Sequence, residues 1–491
     1  MSTAIELAPD PQLMESIRAV GYTFPTALAD IIDNSISAKS GRIQIVAPPS
    51  EESFVAILDD GLGMSAETAT HAMRLAGMSP TFKRGETDLG RFGLGLKTAS
   101  LSQCRSLTVA SKKQGESVVA YEWDLDFLAE TQSWSLLELS PAEIANLPCI
   151  GLLNKQDSGT LVLWRKLDRL LPDTSRSELD LAEELARAKE HIGLVFHRFI
   201  SGDTGRPLGI SVNGREVIGA DPMIEANTAT MPSPVQSLSI DGKTVTVRAF
   251  TLPHRNKLSE KEIATAQIGG SFRDSQGFYV YREKRLVIWG TWFRIVPKQE
   301  LGKLARVRVD IPNSLDHLWA LDIKKAQAMP PPPVREQLKR IADRIVAPSR
   351  RVFTYKGRNL GPTEVVRLWN HIDERGEFHY ELNRSHPMVA SLKKALQDLP
   401  HAKSLLEELL AMAERGFPVD DVYSRLGQDQ KFAGPRANEE DMLVTARSLA
   451  SAAHRLGLQR DQFIETYILS EPFSGADGAE ELLRSAYDAS A

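Results

Sequence analysis

In the segment ADIIDNSISA (29–38) a carboxylate at Asp30 and a carboxamide at Asn34 stand four residues apart, so a helix sets them one turn from each other on one face. Ile31, Ile32 and Ile36 take the opposite side. A carboxylate so placed can accept a proton from water attacking a phosphate, and an amide oxygen one turn away can ligate Mg²⁺ beside phosphate oxygens. A second segment, ILDDGLGM (57–64), ends an apolar strand on Asp59 and turns through Gly61 and Gly63. Asp59 can accept from the exocyclic amine of an adenine, and glycines let the backbone approach a base without a Cβ in the way. A third, GRFGLGLK (90–97), is a Gly-rich turn opening a helix; its backbone N–H groups suit phosphates, and Lys97 adds a point charge. It lacks the GK[ST] ending of a P-loop, and no strand leads directly into it as a dinucleotide fingerprint requires. Taken alone, the first segment is more often a polar helix stripe and the second an acidic turn. Their order and spacing describe an ATP site.

The elements that must position these groups follow from the surrounding pattern. A short amphipathic helix is expected over 11–19, a break at Gly21–Pro25, and the Asp30 helix from about 26 to 38, ended by Gly41. RIQIVA (42–47) and SFVAIL (53–58) read as strands, in a hairpin or as neighbours. From 64 to 91 the chain starts helical and turns polar and Gly-containing, the composition of a lid. Strands resume at 106–111, 117–123 and 159–164, and an acidic helix over 178–189 leaves the first domain. A second β-rich region is expected to open with LGISVNGREV (208–217), where Asn213-Gly214 signals a hairpin, and to continue through 243–250, 277–290 and 305–312. Four prolines, 330–333, precede a helix around 334–345; beyond 350 the chain reads as mainly helical, with a small hairpin at 377–383.

The 491 residues exceed one core, and net charge −5 with 25% charged residues gives no overall nucleic-acid signal. Cys104 and Cys149 have no metal or disulfide spacing, and no stretch has the apolar length to cross a bilayer, so a cytoplasmic protein without membrane contact is expected. Positive charge does concentrate locally, at Arg282, Lys284, Arg285, Arg294, Lys298, Lys303, Arg306 and Arg308, interleaved with Tyr279, Tyr281, Trp289, Trp292 and Phe293. It recurs at Arg335, Lys339, Arg340, Arg344, Arg350, Arg351, Lys356 and Arg358. Such a surface suits duplex DNA; a solvated face balancing nearby acids is the other reading.

Taken together the three segments resemble the GHKL ATPase superfamily of gyrase B subunits, heat-shock-90 chaperones, histidine kinases and MutL-type proteins. ADIIDNSISA, AGMSP and GRFGLGLKTASLSQC are most similar to its MORC branch and bacterial relatives. The resemblance implies an α+β chain: a Bergerat-fold ATPase sandwich of helices on a mixed sheet (1–185), an S5-like α/β transducer (186–347) and a mainly helical partner or oligomerisation region (348–491). It makes Asp30 the counterpart of the catalytic glutamate, Asn34 the Mg²⁺ ligand and Asp59 the adenine reader, with Gly61, Gly63 and Met64 beside it. Gly90, Arg91, Phe92, Gly93, Leu94, Gly95 and Lys97 become the phosphate-contacting segment, and Gly159-Thr160 the later Gly-Thr pair, with Thr160 joining the Asp59–adenine network. A transducer lysine reaching the γ-phosphate falls on Lys324 or Lys325, Lys325 favoured.

Asp30 departs from the family pattern by one methylene, roughly 1.5 Å of reach. Either the backbone sits closer or hydrolysis is slow, and Asp33 orients the helix or binds water. The expected protein is therefore a slow ATPase using ATP and Mg²⁺ as a clamp, a homodimer on ATP binding. The resemblance further suggests action on DNA with a helicase or nuclease partner in bacterial phage defence. A heat-shock-90-like chaperone and a nucleotide-binding pseudo-ATPase scaffold are the alternatives; a histidine kinase is disfavoured by the N-terminal ATP segments.

Overall fold

The computed structural model describes residues 10–48, 53–74, 95–171, 177–299, 302–316, 366–419 and 439–490, less positions 11, 20, 375, 376 and 475, together with 330, 334–336, 338–340, 342 and 422. The chain divides into two compact units, 1–355 and 356–491.

The first unit opens with α1 (Gln12–Arg18) and α2 (Phe24–Ser37), the helix carrying Asp30 and Asn34. Its start precedes the expected one because Pro25 sits in the first turn, where a missing N–H is no loss. Thr23 begins the helix, its N–H donating to Thr26 Oγ1 at 3.1 Å. Strands β1 (Arg42–Val46) and β2 (Val55–Asp59) pair antiparallel, followed by α3 (Ala66–Met73), α4 (Gly95–Leu101), β3 (Ser106–Lys112) and β4 (Val119–Asp124). Then come α5 (Leu125–Thr131), β5 (Leu137–Glu138), α6 (Pro141–Ala145), α7 (Ile150–Asn154), β6 (Gly159–Arg165), α8 (Ser177–Val195), α9 (His197–Ile200), β7 (Gly209–Val212) and β8 (Arg215–Glu216).

Among the described residues these strands make one eight-stranded sheet, ordered β5-β4-β3-β6-β2-β1-β7-β8. Every residue of β2 is buried because both sheet faces are covered. Val55 and Ile57 pack with Leu28, Ile32 and Ile192 of α2 and α8, while Ala56 and Leu58 join Ile150 and Leu153 of α7 on the opposite side. β6 divides likewise, Val162 and Trp164 to the first core, Leu161 and Leu163 to the second.

The Asn213-Gly214 hairpin forms as expected but in a different place. β7 runs parallel to β1, so this pair extends the first sheet rather than opening the second. Asn213 secures it, its Oδ1 accepting from Ala47 N–H at 2.8 Å and its Nδ2 donating to Ala47 O at 2.9 Å.

The second sheet consists of β9 (Met231–Pro232), β10 (Gln236–Ile240), β11 (Lys243–Thr251), β12 (Gly277–Arg282), β13 (Arg285–Thr291) and β14 (Ala305–Ile311), with α10 (Glu260–Ala266) between β11 and β12. Its main path is β10-β11-β14-β12-β13, β9 adding to β11, with β12 and β14 parallel. One face packs Val247, Phe278, Val280 and Val307 against Val334, Leu338 and Ala342, a four-residue spacing that seats the post-proline helix. The other face, Phe250, Tyr279, Tyr281 and Leu286, meets Leu194 of α8.

That alternation corrects part of the expected basic and aromatic surface, although Arg294 stays exposed and Lys284, Lys298 and Trp289 partly so. Tyr279, Tyr281, Trp292 and Phe293 are core residues, and Arg282, Arg285, Lys303 and Arg306 are buried with them. Arg282 pairs with Asp316 at 2.7 Å, and Arg308 pairs with Glu225. In the second run Arg335, Lys339 and Arg340 are exposed, while Arg344, Arg350, Arg351, Lys356 and Arg358 lie outside the described residues.

The second unit holds the antiparallel hairpin β15 (Trp369–Glu374) and β16 (Glu377–Leu382), longer than expected by a whole strand, then helices Pro387–Ala395, Pro400–Arg415, Glu439–Arg455, Arg460–Tyr467 and Ala479–Ala489. Leu449, Phe463, Tyr467 and Leu483 form its core. No helix among the described residues is long and apolar enough to cross a membrane.

Candidate functional site

The 3.6-residue period of α2 buries Leu28, Ile31 and Ile32 and leaves Asn34 exposed. Asp30 sits between these extremes, 9% exposed. Its Oδ2 accepts from the Tyr22 hydroxyl at 2.9 Å, and the Arg285 guanidinium lies 3.7 Å from its Oδ1. Burial, then the Asp30 carboxylate, push the Tyr22 phenol well above its usual range, so it stays a donor. The first residue of α4, Gly95, closes against the same group; a Cβ there would stand 3.4 Å from Asp30 Oδ2. Asp30 and Gly95 thus meet, with the exposed Asn34 one helical turn on from Asp30.

Asp59 ends β2, where the strand pattern gives way to Asp-Asp-Gly. Its Oδ1 accepts from Gly61 N–H and its Oδ2 from the Ser35 hydroxyl of α2, each at 2.9 Å. The carboxyl is 6% exposed; burial raises its pKa, opposed by the bonds from Gly61 and Ser35. Asp60 turns away and caps the start of β1, accepting from Gly41 and Arg42 N–H at 2.7 and 2.8 Å. Gly63 has φ +64, and a Cβ would fall 1.9 Å from Lys112 O. Only glycine fits that approach. Thr160 is the register partner of Asp59, and its hydroxyl lies 2.9 Å from Ser111 Oγ, which also accepts from Met64 N–H at 2.9 Å. The chain around Asp59 is therefore bound to β3 and β6 by a hydroxyl pair.

Lys97 has a different environment from the expected one. It is buried, and its Nζ donates to Ala72 O and Arg74 O at 2.8 Å each, fastening the end of α3. Burial lowers its pKa to about 8. Gly90, Arg91, Phe92, Gly93, Leu94, Lys324 and Lys325 lie outside the described residues.

Residues 22–160 match the family model described as histidine kinase-, DNA gyrase B-, and HSP90-like ATPase, a span that begins at Tyr22 and ends at Thr160. The chain carries a GHKL-type ATPase domain. Within the wider chain, a stretch of 91 residues is 32% identical to a protein named ATPase morc-1 from Caenorhabditis elegans. That stretch is 18% of this chain and 10% of the relative, so the chain spans about a tenth of the curated protein it matches.

Several residues of this domain's site escaped the sequence reading. Ser35 and Tyr22 stand close to the Asp30 motif, and a polar residue facing a carboxylate from the same helix or its leading turn is a usable signal. Ser111 ends a strand opposite Thr160, visible only once the β3–β6 register is known. Arg285 is 252 positions from its partner Asp33, and no local pattern announces it.

Proposed function

We propose that the GHKL-type domain binds ATP with Mg²⁺ and hydrolyses it slowly, using Asp30 as general base. The observation that carries this reading is that α2 sets Asp30 beside Gly95, exposes Asn34 one turn on, and bonds the buried Asp59 acceptor through Ser35. Asp59, aligned by Gly61 and Ser35, accepts from the adenine amine. The Asn34 amide oxygen would hold Mg²⁺, which would supply neutralisation of phosphate charge. Asp30 takes the proton of the attacking water; its Tyr22 bond keeps one oxygen occupied and fixes the rotamer. In this reading the segment from Gly90 to Lys97 contacts the phosphates, and Lys325 or Lys324 completes the γ-phosphate contact.

At the level of the whole protein the reading is an ATP-gated clamp that dimerises on nucleotide and closes on duplex DNA or a DNA-processing partner, a role suited to phage defence. The family's association of ATP binding with dimerisation supports the first part. For the second, the exposed Arg335, Lys339 and Arg340 supply the basic face.

The deciding experiment is steady-state phosphate release by wild type and Asp30→Ala at saturating ATP, with binding of a non-hydrolysable analogue measured alongside. Asp30→Ala should keep analogue affinity and lose at least about a hundredfold in rate, as removal of a general base does. An unchanged rate would falsify the assignment.

A further inference from the structure

We propose that Arg285 is the positioning residue that sets the Asp30 carboxylate, so that hydrolysis depends on how the second sheet is seated against α2. The inference rests on the reading of Asp30 as the base, and names how that site is regulated from within the chain.

Arg285 is the first residue of β13, yet its guanidinium is 5% exposed and lies against α2 of the first sheet's layer. Its Nε donates to Asp33 Oδ1 at 2.7 Å, Asp33 being 1% exposed, and Nη2 stands 3.7 Å from Asp30 Oδ1. The guanidinium also covers the Phe196 ring at 5.5 Å. One planar cation therefore bridges two carboxylates on one helix, bonded to one and just beyond bonding distance of the other. A small pivot of the guanidinium about its Asp33 bond, carrying Nη2 about 1 Å toward Asp30, would convert the second approach into a hydrogen bond, a displacement on the scale that changes rates about a hundredfold. Tyr22 on Oδ2 and Arg285 beside Oδ1 thus act on the two oxygens of one carboxylate.

The hairpin that delivers Arg285 is built under strain. Arg282 pairs with Arg285 across a two-residue turn, Glu283 and Lys284, both at positive φ (46° and 69°). Such turns favour Asn-Gly, as at Asn213-Gly214. Here the conformation is imposed by partners: Asn313 N–H donates to Glu283 Oε1 at 2.9 Å, and Lys284 Nζ donates to Asp203 O. Strain kept by surrounding contacts is a feature of switch regions and sites. The same boundary is tied by His197 Nε2 and Tyr281 Oη, 2.9 Å apart, and by Arg198 to Asp310, so any shift of the second sheet reaches Arg285.

The test uses the full chain in four forms: wild type, Asp30→Ala, Arg285→Lys and the double variant Arg285→Met/Asp33→Leu. Each is measured for kcat, affinity for a non-hydrolysable ATP analogue, and melting temperature. The double variant removes both charges with apolar groups of similar volume, an exchange that restores stability lost on breaking a buried pair. Expected is a fall in kcat of at least about tenfold in both Arg285 variants, with analogue affinity changed less than about twofold and the double variant melting like wild type. Wild-type kcat in either Arg285 variant would overturn the inference, as would a loss of analogue affinity matching the loss of rate. If the double variant does not fold, Arg285→Lys, which keeps the charge and loses the fork, decides alone. A wild type without turnover, or an Asp30→Ala chain as fast as wild type, instead overturns the reading of the base itself.

Discussion

Lys97 shows how burial turns a side chain's titration into stability. In the unfolded chain it keeps its proton to about pH 10.4, whereas in the fold it releases it near 8. Between those values the unfolded chain binds more protons, so this group's contribution rises with pH across the window, by up to about 3 kcal/mol. Below pH 8 the full penalty of the buried charge is present, relieved by the Ala72 and Arg74 carbonyls. Denaturant unfolding of wild type and Lys97→Met at pH 7.5 and 10 should show their stability difference moving in favour of wild type at the higher pH. A difference that does not move would return Lys97 to an ordinary pKa. Asp59 carries the opposite sign: its raised pKa makes ionisation unfavourable for the fold, a penalty that grows as pH rises through that pKa.

Between elements, the turn after β2 is held by how closely two backbones approach. Gly63 and Gly115 both have positive φ, but a Cβ at Gly63 meets Lys112 O whereas Gly115 faces open space. Gly115→Ala should therefore lose only the backbone term, about 1 kcal/mol, and Gly63→Ala at least about 2 kcal/mol more, read from denaturation midpoints. Equal losses would mean the close approach is not rigid. Segments of this kind were the legible part of the chain: α2, the Asp59 turn and Gly159-Thr160 announce themselves through period, glycine placement and strand ends. The Asn213-Gly214 turn was equally legible as a hairpin, but a turn signal does not say which sheet its strands join. Strand alternation explains the other misreading. In GFYVYREKRLVIWG both faces of the sheet are covered, so residues that look like a basic, aromatic surface become interior, and Arg306 ends fully buried, bonded to the carbonyls of Lys303, Ala305 and Ala266. The Arg285–Asp33 contact depends on pairing across the whole unit, which no local window contains.

For the whole molecule, the burial of so much of the expected basic surface narrows where a nucleic acid can sit. Arg335, Lys339 and Arg340 reach solvent on one short helical stretch. If they neutralise phosphates, replacing all three with alanine should flatten the slope of log affinity against log salt for duplex DNA by roughly 2 to 3. A wild type that does not bind duplex at low salt would remove DNA from the proposed role. The placement of β7 bears on how the ATPase domain can be studied apart from the rest. Ending the chain at 185, where the helical signal suggests a natural stop, would strip β1 of its parallel neighbour and of the Asn213 clamp on Ala47. The bared strand, with Ile43 and Ile45 alternating along it, would offer a ready template for self-pairing. A fragment carried through Glu216 keeps that strand occupied, and the difference between the two is one between an aggregating polypeptide and a tractable one.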